Sequence, residues 1–108
     1  MPSYPKRGEV YLARLDKLRP VIILSVDSLN KHALDVCVIP ITTKEHARFS
    51  IRVDLRSGDG GLDRDCWAKC DQVSTIEKDM LQHPALGFLP AEKLERVEGQ
   101  VRISLGLL

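Results

Sequence analysis

The segment Pro20-Val21-Ile22-Ile23-Leu24-Ser25 constrains this chain more than any other. Successive side chains of a strand point to opposite faces, so an unbroken apolar run must be covered on both. Pro20 has no N–H to give a ladder, so it fits the start of such a strand but not its middle. Arg19 is thereby held at the rim of a core by a rigid neighbour. A guanidinium fixed there offers planar, paired donors that suit a phosphate, or a carboxylate of the chain itself.

Other segments supply more sheet. Glu9 to Leu15 alternates as a half-buried strand does, and Asp16-Lys17-Leu18 is a short connection. Asp27 to Leu34 is polar and reads as a loop or a short helical turn. Leu34 to Ile41 is a third strand, with Pro40 marking an edge or a bulge near its end. Lys44 to Arg48 is a polar loop. Ser50 to Leu55 alternates strictly, and Ser57-Gly58-Asp59-Gly60-Gly61 is a turn. From Cys66 to Asp71, the small residues Cys66, Ala68 and Cys70 share one face and Trp67, Lys69 and Asp71 the other. Val73 to Ile76 continues the sheet, and Glu77 to Gln82 fits one helical turn. Pro90 opens a helix to Leu107, striped by Leu94, Val97, Val101, Leu105 and Leu108. Gly99 inside that helix suggests a close backbone contact. Five or more short strands followed by one amphipathic helix predict a mainly β fold, a small β-barrel with a C-terminal helix packed on it.

With 108 residues the chain makes one domain, 1–108, with a modest core. No apolar run approaches the roughly 18 residues of a membrane span. The segment from Met1 to Gly8 has no apolar stretch typical of a secretory signal, so the expected location is cytoplasmic. Three cysteines, Cys37, Cys66 and Cys70, argue against a disulfide framework. Along a strand Cys66 and Cys70 would stand about 13 Å apart, too far to bridge. Net charge is only +1, but residues 1–56 carry ten Lys/Arg against six Asp/Glu, a balance of +4. A polyanion should meet that half.

Which residues could do chemistry? Asp59, Asp63 and Asp65 are the nearest approach to a carboxylate metal set, but they read as a solvated loop around Arg64. His32, His46 and His83 fall in polar surroundings and read as surface residues. No phosphate-cradling glycine loop, nucleophile elbow or zinc spacing is present, and no cofactor or metal is expected. Polar groups at strand ends are more suggestive: Arg19, Thr42, Lys69 and Asp71 supply a guanidinium, a hydroxyl, an ammonium and a carboxylate. Brought together, they are chemically sufficient to split an RNA phosphodiester with the 2′-OH as internal nucleophile. Spacing alone leaves open whether they converge or are scattered. Trp67 is suited to stack on a splayed base or to pack in a dimer interface.

At these residues the chain resembles the MazF/PemK/Kid family of toxin endoribonucleases. The matching segments, in the family's order, are Lys6 to Tyr11, Arg19 to Ser25, Val38 to Thr43 and Cys70 to Ile76, with the terminal helix in place. The resemblance implies an SH3-like barrel of the CcdB/PemK-like toxin fold and a homodimer with single-stranded RNA along the dimer groove. It implies sequence-specific, metal-independent cleavage of mRNA, tRNA or rRNA, leaving a 2′,3′-cyclic phosphate and a 5′-OH and so inhibiting translation. It also implies a cognate MazE-like antitoxin with an acidic tail that folds on binding. Residue by residue, Arg19 matches the family's catalytic arginine and Thr42 its catalytic threonine or serine. Lys69 and Asp71 fall where Kid-type members have an arginine and an aspartate. Arginine makes a poor base because its pKa exceeds about 12. Asp71 is thus the better proton acceptor, unless it only pairs with Lys69 or Arg19. Lys17, Ser25, Thr43, Lys44, Trp67 and Gln72 are the matching candidates for RNA contact.

One departure stands out. Many members carry a long Gly-, Glu- and Gln-rich loop between the first two strands, where this chain has only Leu15 to Arg19. A shorter loop implies a more open groove, able to admit a structured RNA loop such as that of a tRNA. Two rivals remain. Gyrase poisons of the CcdB type act through C-terminal residues that include an aromatic, and this chain ends Ser104-Leu105-Gly106-Leu107-Leu108. A plain SH3-like binding module for RNA or peptide would share the groove without turnover.

Overall fold

A computed structural model describes residues 4–44 and 51–107. Among these residues, seven strands and two α-helices follow in the order β1 (Glu9–Arg14), β2 (Leu18–Ile23), α1 (Asp27–His32), β3 (Asp35–Thr42), β4 (Arg52–Leu55), β5 (Cys66–Lys69), β6 (Ser74–Glu77), β7 (Leu81–Phe88) and α2 (Ala91–Leu105). All strand pairs are antiparallel, in the order β4-β5-β3-β2-β1-β7, with β6 also on β3. The expected mainly β fold with a C-terminal helix is present.

The run in β2 behaves as its sequence requires. Val21 and Ile23 enter one buried cluster with Tyr11, Ala13, Val36, Val38 and Leu81. Ile22 enters the other with Val10, Ile39, Val53, Leu55 and Val97. β1 departs from the half-buried expectation: Val10, Tyr11 and Ala13 are all buried, because Val10 packs in one core cluster while Tyr11 and Ala13 pack in the other. Pro40 marks neither edge nor bulge. Its β2 partner is Val21, while the other side of β3 pairs with β6 at Asp35–Val38 and with β5 at Ile41–Thr42. Pro40 sits between those two ladders, where a missing N–H leaves no bond unmade.

β7 is absent from the sequence reading. Its run Leu-Gln-His-Pro-Ala-Leu-Gly-Phe has neither alternation nor β-branched residues, and Pro84 argues against a strand. The structure accommodates it by shifting the β1–β7 register between Val10 and Leu12. β7 then meets the turn that follows β4, the opposite edge of the sheet. A Cβ on Gly61 would lie 2.1 Å from the Leu86 carbonyl oxygen, and one on Gly87 2.9 Å from the carbonyl carbon of Gly60. Gly60 and Gly61 also have φ of 59° and 79°, which favours glycine. The sheet thus curls into a barrel-like form whose edges meet through glycine backbone, without a closing ladder.

α2 covers the edge strand β4. It buries Val97 and Val101, with Leu94 partly buried, while Leu105 at the end of the stripe is exposed. The Lys93 ammonium donates to the Asp54 carbonyl at 2.6 Å and to its carboxylate at 3.2 Å, and Arg96 donates to the same carboxylate at 3.1 Å. These contacts occupy groups of an otherwise open strand edge. Gly99 marks no close approach, since a Cβ there would meet nothing within 4 Å. Among the described residues no helix is long and apolar enough to cross a membrane.

Candidate nucleic-acid interface

Strand register gathers polar residues at one rim of the sheet. The β2–β3 ladder ends with Val21 opposite Pro40, and the same register continued two residues outward directs Arg19 toward Thr42. Thr42 is opposite Trp67, and Trp67 is opposite Asp54. Directly opposed residues share a face, so Arg19, Thr42 and Trp67 form a row across three neighbouring strands spaced about 4.8 Å apart. Lys69 is two residues along β5 from Trp67 on the same face.

An open cavity of about 820 Å³ lies at this rim. Arg19, Thr42 and Lys69 all line it, together with Lys17, Thr43 and Lys44. Six of the ten sequence-derived candidates therefore meet. The other four do not line the cavity. Trp67 is half-buried beside Thr42, and Asp71 and Gln72 are exposed in the turn beyond β5. Ser25 lies past the far end of β2, where its hydroxyl donates to Asn30 Oδ1 at 2.5 Å and accepts from the Cys37 N–H at 3.1 Å.

The far wall comes from Gly61, Leu62, Asp63 and Arg64, with Leu86 from β7. Arg64 escaped the sequence reading because its place depends on the glycine contact with β7. Nothing local distinguishes it from any charge in a polar turn. The neighbouring acids shape that turn: Asp59 accepts from the Arg56 N–H at 2.9 Å and Asp65 from the Ser57 N–H at 2.8 Å. Asp63 is within 3.4 Å of Arg64. Among the described residues, no three His, Cys, Asp or Glu side chains gather as metal ligands would. His32 is exposed at the end of α1, and His83 meets the Tyr11 ring edge-on at 5.0 Å. His46 lies outside the described residues.

The groove combines apolar walls with basic side chains. Lys17, Lys44 and Lys69 have no carboxylate within ion-pair distance among the described residues. The partner of Arg19 is Asp16, not Asp71: Nε donates to Oδ1 at 2.8 Å and NH2 to Oδ2 at 3.0 Å. The Arg19 hydrogen bond holds the Asp16 carboxyl well below the usual carboxylate range, and the same bond raises the guanidinium further. Thr42 Oγ1 accepts from the Lys44 N–H at 3.1 Å, so its own proton is left to donate. Cys66 lines the cavity, but burial pushes its thiol up and away from the reactive thiolate. Such a surface can bind a phosphate chain with three ammoniums, clamp one phosphate with a guanidinium and donate a hydroxyl proton beside it.

Comparison with known proteins agrees with this fold. Residues 6–105 match the family model described as PemK-like, MazF-like toxin of type II toxin–antitoxin systems. The chain belongs to that family. Endoribonuclease MazF of Staphylococcus saprophyticus is 32% identical over 111 residues, covering 94% of this chain and 92% of that protein. A mycobacterial endoribonuclease, solved in complex with its cognate antitoxin, superposes with a TM-score of 0.83 at 27% identity, covering 96% of this chain and 97% of that one. The MazE–MazF structure from Deinococcus radiodurans has a TM-score of 0.84 at 20% identity, covering 99% and 100%, and speaks for the fold.

Proposed function

We propose that this family member is a sequence-specific endoribonuclease toxin that cleaves single-stranded RNA through its own 2′-OH. The observation that carries this reading is the meeting of Arg19, Thr42 and Lys69 on one groove with Lys17 and Lys44 alongside. The 2′-oxygen attacks phosphorus and the P–O5′ bond breaks, giving a 2′,3′-cyclic phosphate and a 5′-OH. The 2′-OH proton goes to a base, and the departing 5′-oxygen takes up another. Arg19 clamps the charge that builds on the non-bridging oxygens, and Thr42 donates to one of them. Lys69 is the proton donor assigned to the departing 5′-oxygen. Asp71 is the carboxylate assigned to accept the 2′-OH proton. It lies outside the cavity lining, so that role requires its carboxylate to come within hydrogen-bond reach of the 2′-OH beside the phosphate that Arg19 clamps.

The toxin acts as a homodimer and is held inactive by a MazE-like antitoxin. Support for the antitoxin comes from the mycobacterial endoribonuclease, which was solved in complex with its cognate antitoxin. Exposed Ile103, Leu105 and Leu107 at the end of α2 offer an apolar surface for a protein partner.

The test is cleavage of a long mixed-sequence RNA in EDTA, with 5′-OH ends mapped and Arg19→Ala alongside. Discrete cuts that vanish in the variant are expected. Intact RNA with folded wild-type protein, or cuts that persist in Arg19→Ala, would overturn the assignment.

A further inference from the structure

The family resemblance gives Arg19 a role, but nothing in it accounts for the carboxylate bound to that arginine. Asp16 occupies the tip of the short β1–β2 connection. The connection is tight: Leu15 N–H donates to the Lys17 carbonyl at 3.1 Å, and Arg14 already pairs with Leu18. Asp16 is itself fixed, because Oδ1 also accepts from the Lys17 N–H at 3.0 Å. It holds Arg19 along one edge only, through Nε and NH2. NH1 has no partner among the described residues, and NH2 keeps a second hydrogen.

We propose that Asp16 is a positioning residue: it grips the Nε–NH2 edge of Arg19 and leaves the NH1–NH2 end as a preset fork for a backbone phosphate in the groove. This rests on the endoribonuclease reading. A side chain as exposed as Arg19, at 43%, would otherwise sample many rotamers and would have to be ordered in each encounter. An exposed ion pair adds little to stability, so the consequence of this one is orientation. The carboxylate does subtract from the local positive potential, but Lys17, Lys44 and Lys69 line the same cavity and outweigh it.

The test separates rate from binding. An oligonucleotide is built around the strongest wild-type cut site, with a second version carrying a 2′-deoxy sugar at the cut. In Asp16→Ala, single-turnover cleavage should fall roughly tenfold to a hundredfold, while Kd for the 2′-deoxy version should move by less than about threefold. Asp16→Glu should recover part of the rate. Cleavage at the wild-type rate, or faster cleavage with tighter binding, would overturn the proposal and make Asp16 a competitor of the phosphate. The clamp also has a readout independent of activity, the NMR signal of the Arg19 Nε–H. Its loss to solvent exchange in Asp16→Ala supports the proposal, and an unchanged signal overturns it. Wild-type protein that cuts no RNA would overturn the function while leaving that signal to judge the clamp.

Discussion

The two ends of β2 both carry polar residues, with opposite fates. Past the inner end, Ser25 and Asn30 spend their hydrogen bonds on each other and on the chain. Asn30 is fully buried, its amide donates to the Ser25 carbonyl at 2.8 Å, and Ser25 in turn accepts from Cys37. At the outer end, Arg19 and Thr42 are each bound on one side only. The first cluster staples α1 to the sheet, while the second still has donors to offer. Polarity at a strand end does not make a site; donors left unspent beside open space do.

Substitutions at the two ends should therefore separate activity from stability. Arg19→Ala should lower RNA cleavage at least about 10³-fold by single-turnover assay, with the thermal midpoint nearly unchanged because the side chain is half exposed. Thr42→Val keeps the shape and loses the proton. About 10²-fold is expected in the same assay, the scale of losing one preorganised donor. Asn30→Ala should act the other way, leaving cleavage intact while costing about 1–3 kcal/mol of unfolding free energy, read from urea titration. A large loss of cleavage in folded Asn30→Ala would erase the distinction between the ends.

The smallest effect concerns the edge strand. Lys93 first and Arg96 second pull the Asp54 carboxyl below its usual value. A carboxylate with a depressed folded pKa stabilises the fold above its unfolded pKa of about 3.9, and the benefit fades as pH falls through the folded value. Wild type should thus exceed Asp54→Asn by a constant small margin from neutral pH to about pH 4, and the margin should close below that. Solvent screening keeps it small, since half the Asp54 side chain is exposed. A margin that widens toward acid would refute the assignment.

Much of the fold was legible because the relevant signals are local. Alternation put Cys66, Ala68 and Cys70 on one face and Trp67, Lys69 and Asp71 on the other, and the first face is the buried one. The unbroken run in β2 required two cores, and two are present. β7 escaped because Pro84 and Gly87 suppress its local pattern while pairing with β1 supplies the order.

For the site, the chain by itself determined which chemical groups stand at strand ends: a guanidinium before Pro20, a hydroxyl after Ile41 and an ammonium in β5. Only the tertiary structure decided which of these meet. It brought Arg19 and Thr42 to one groove, bound Arg19 to Asp16 rather than Asp71, and brought Arg64 to the far wall through the Gly61–Leu86 contact. The reason is physical. Periodicity along one strand specifies the face of each side chain, but meeting across strands depends on register and closure, which the whole sheet sets together.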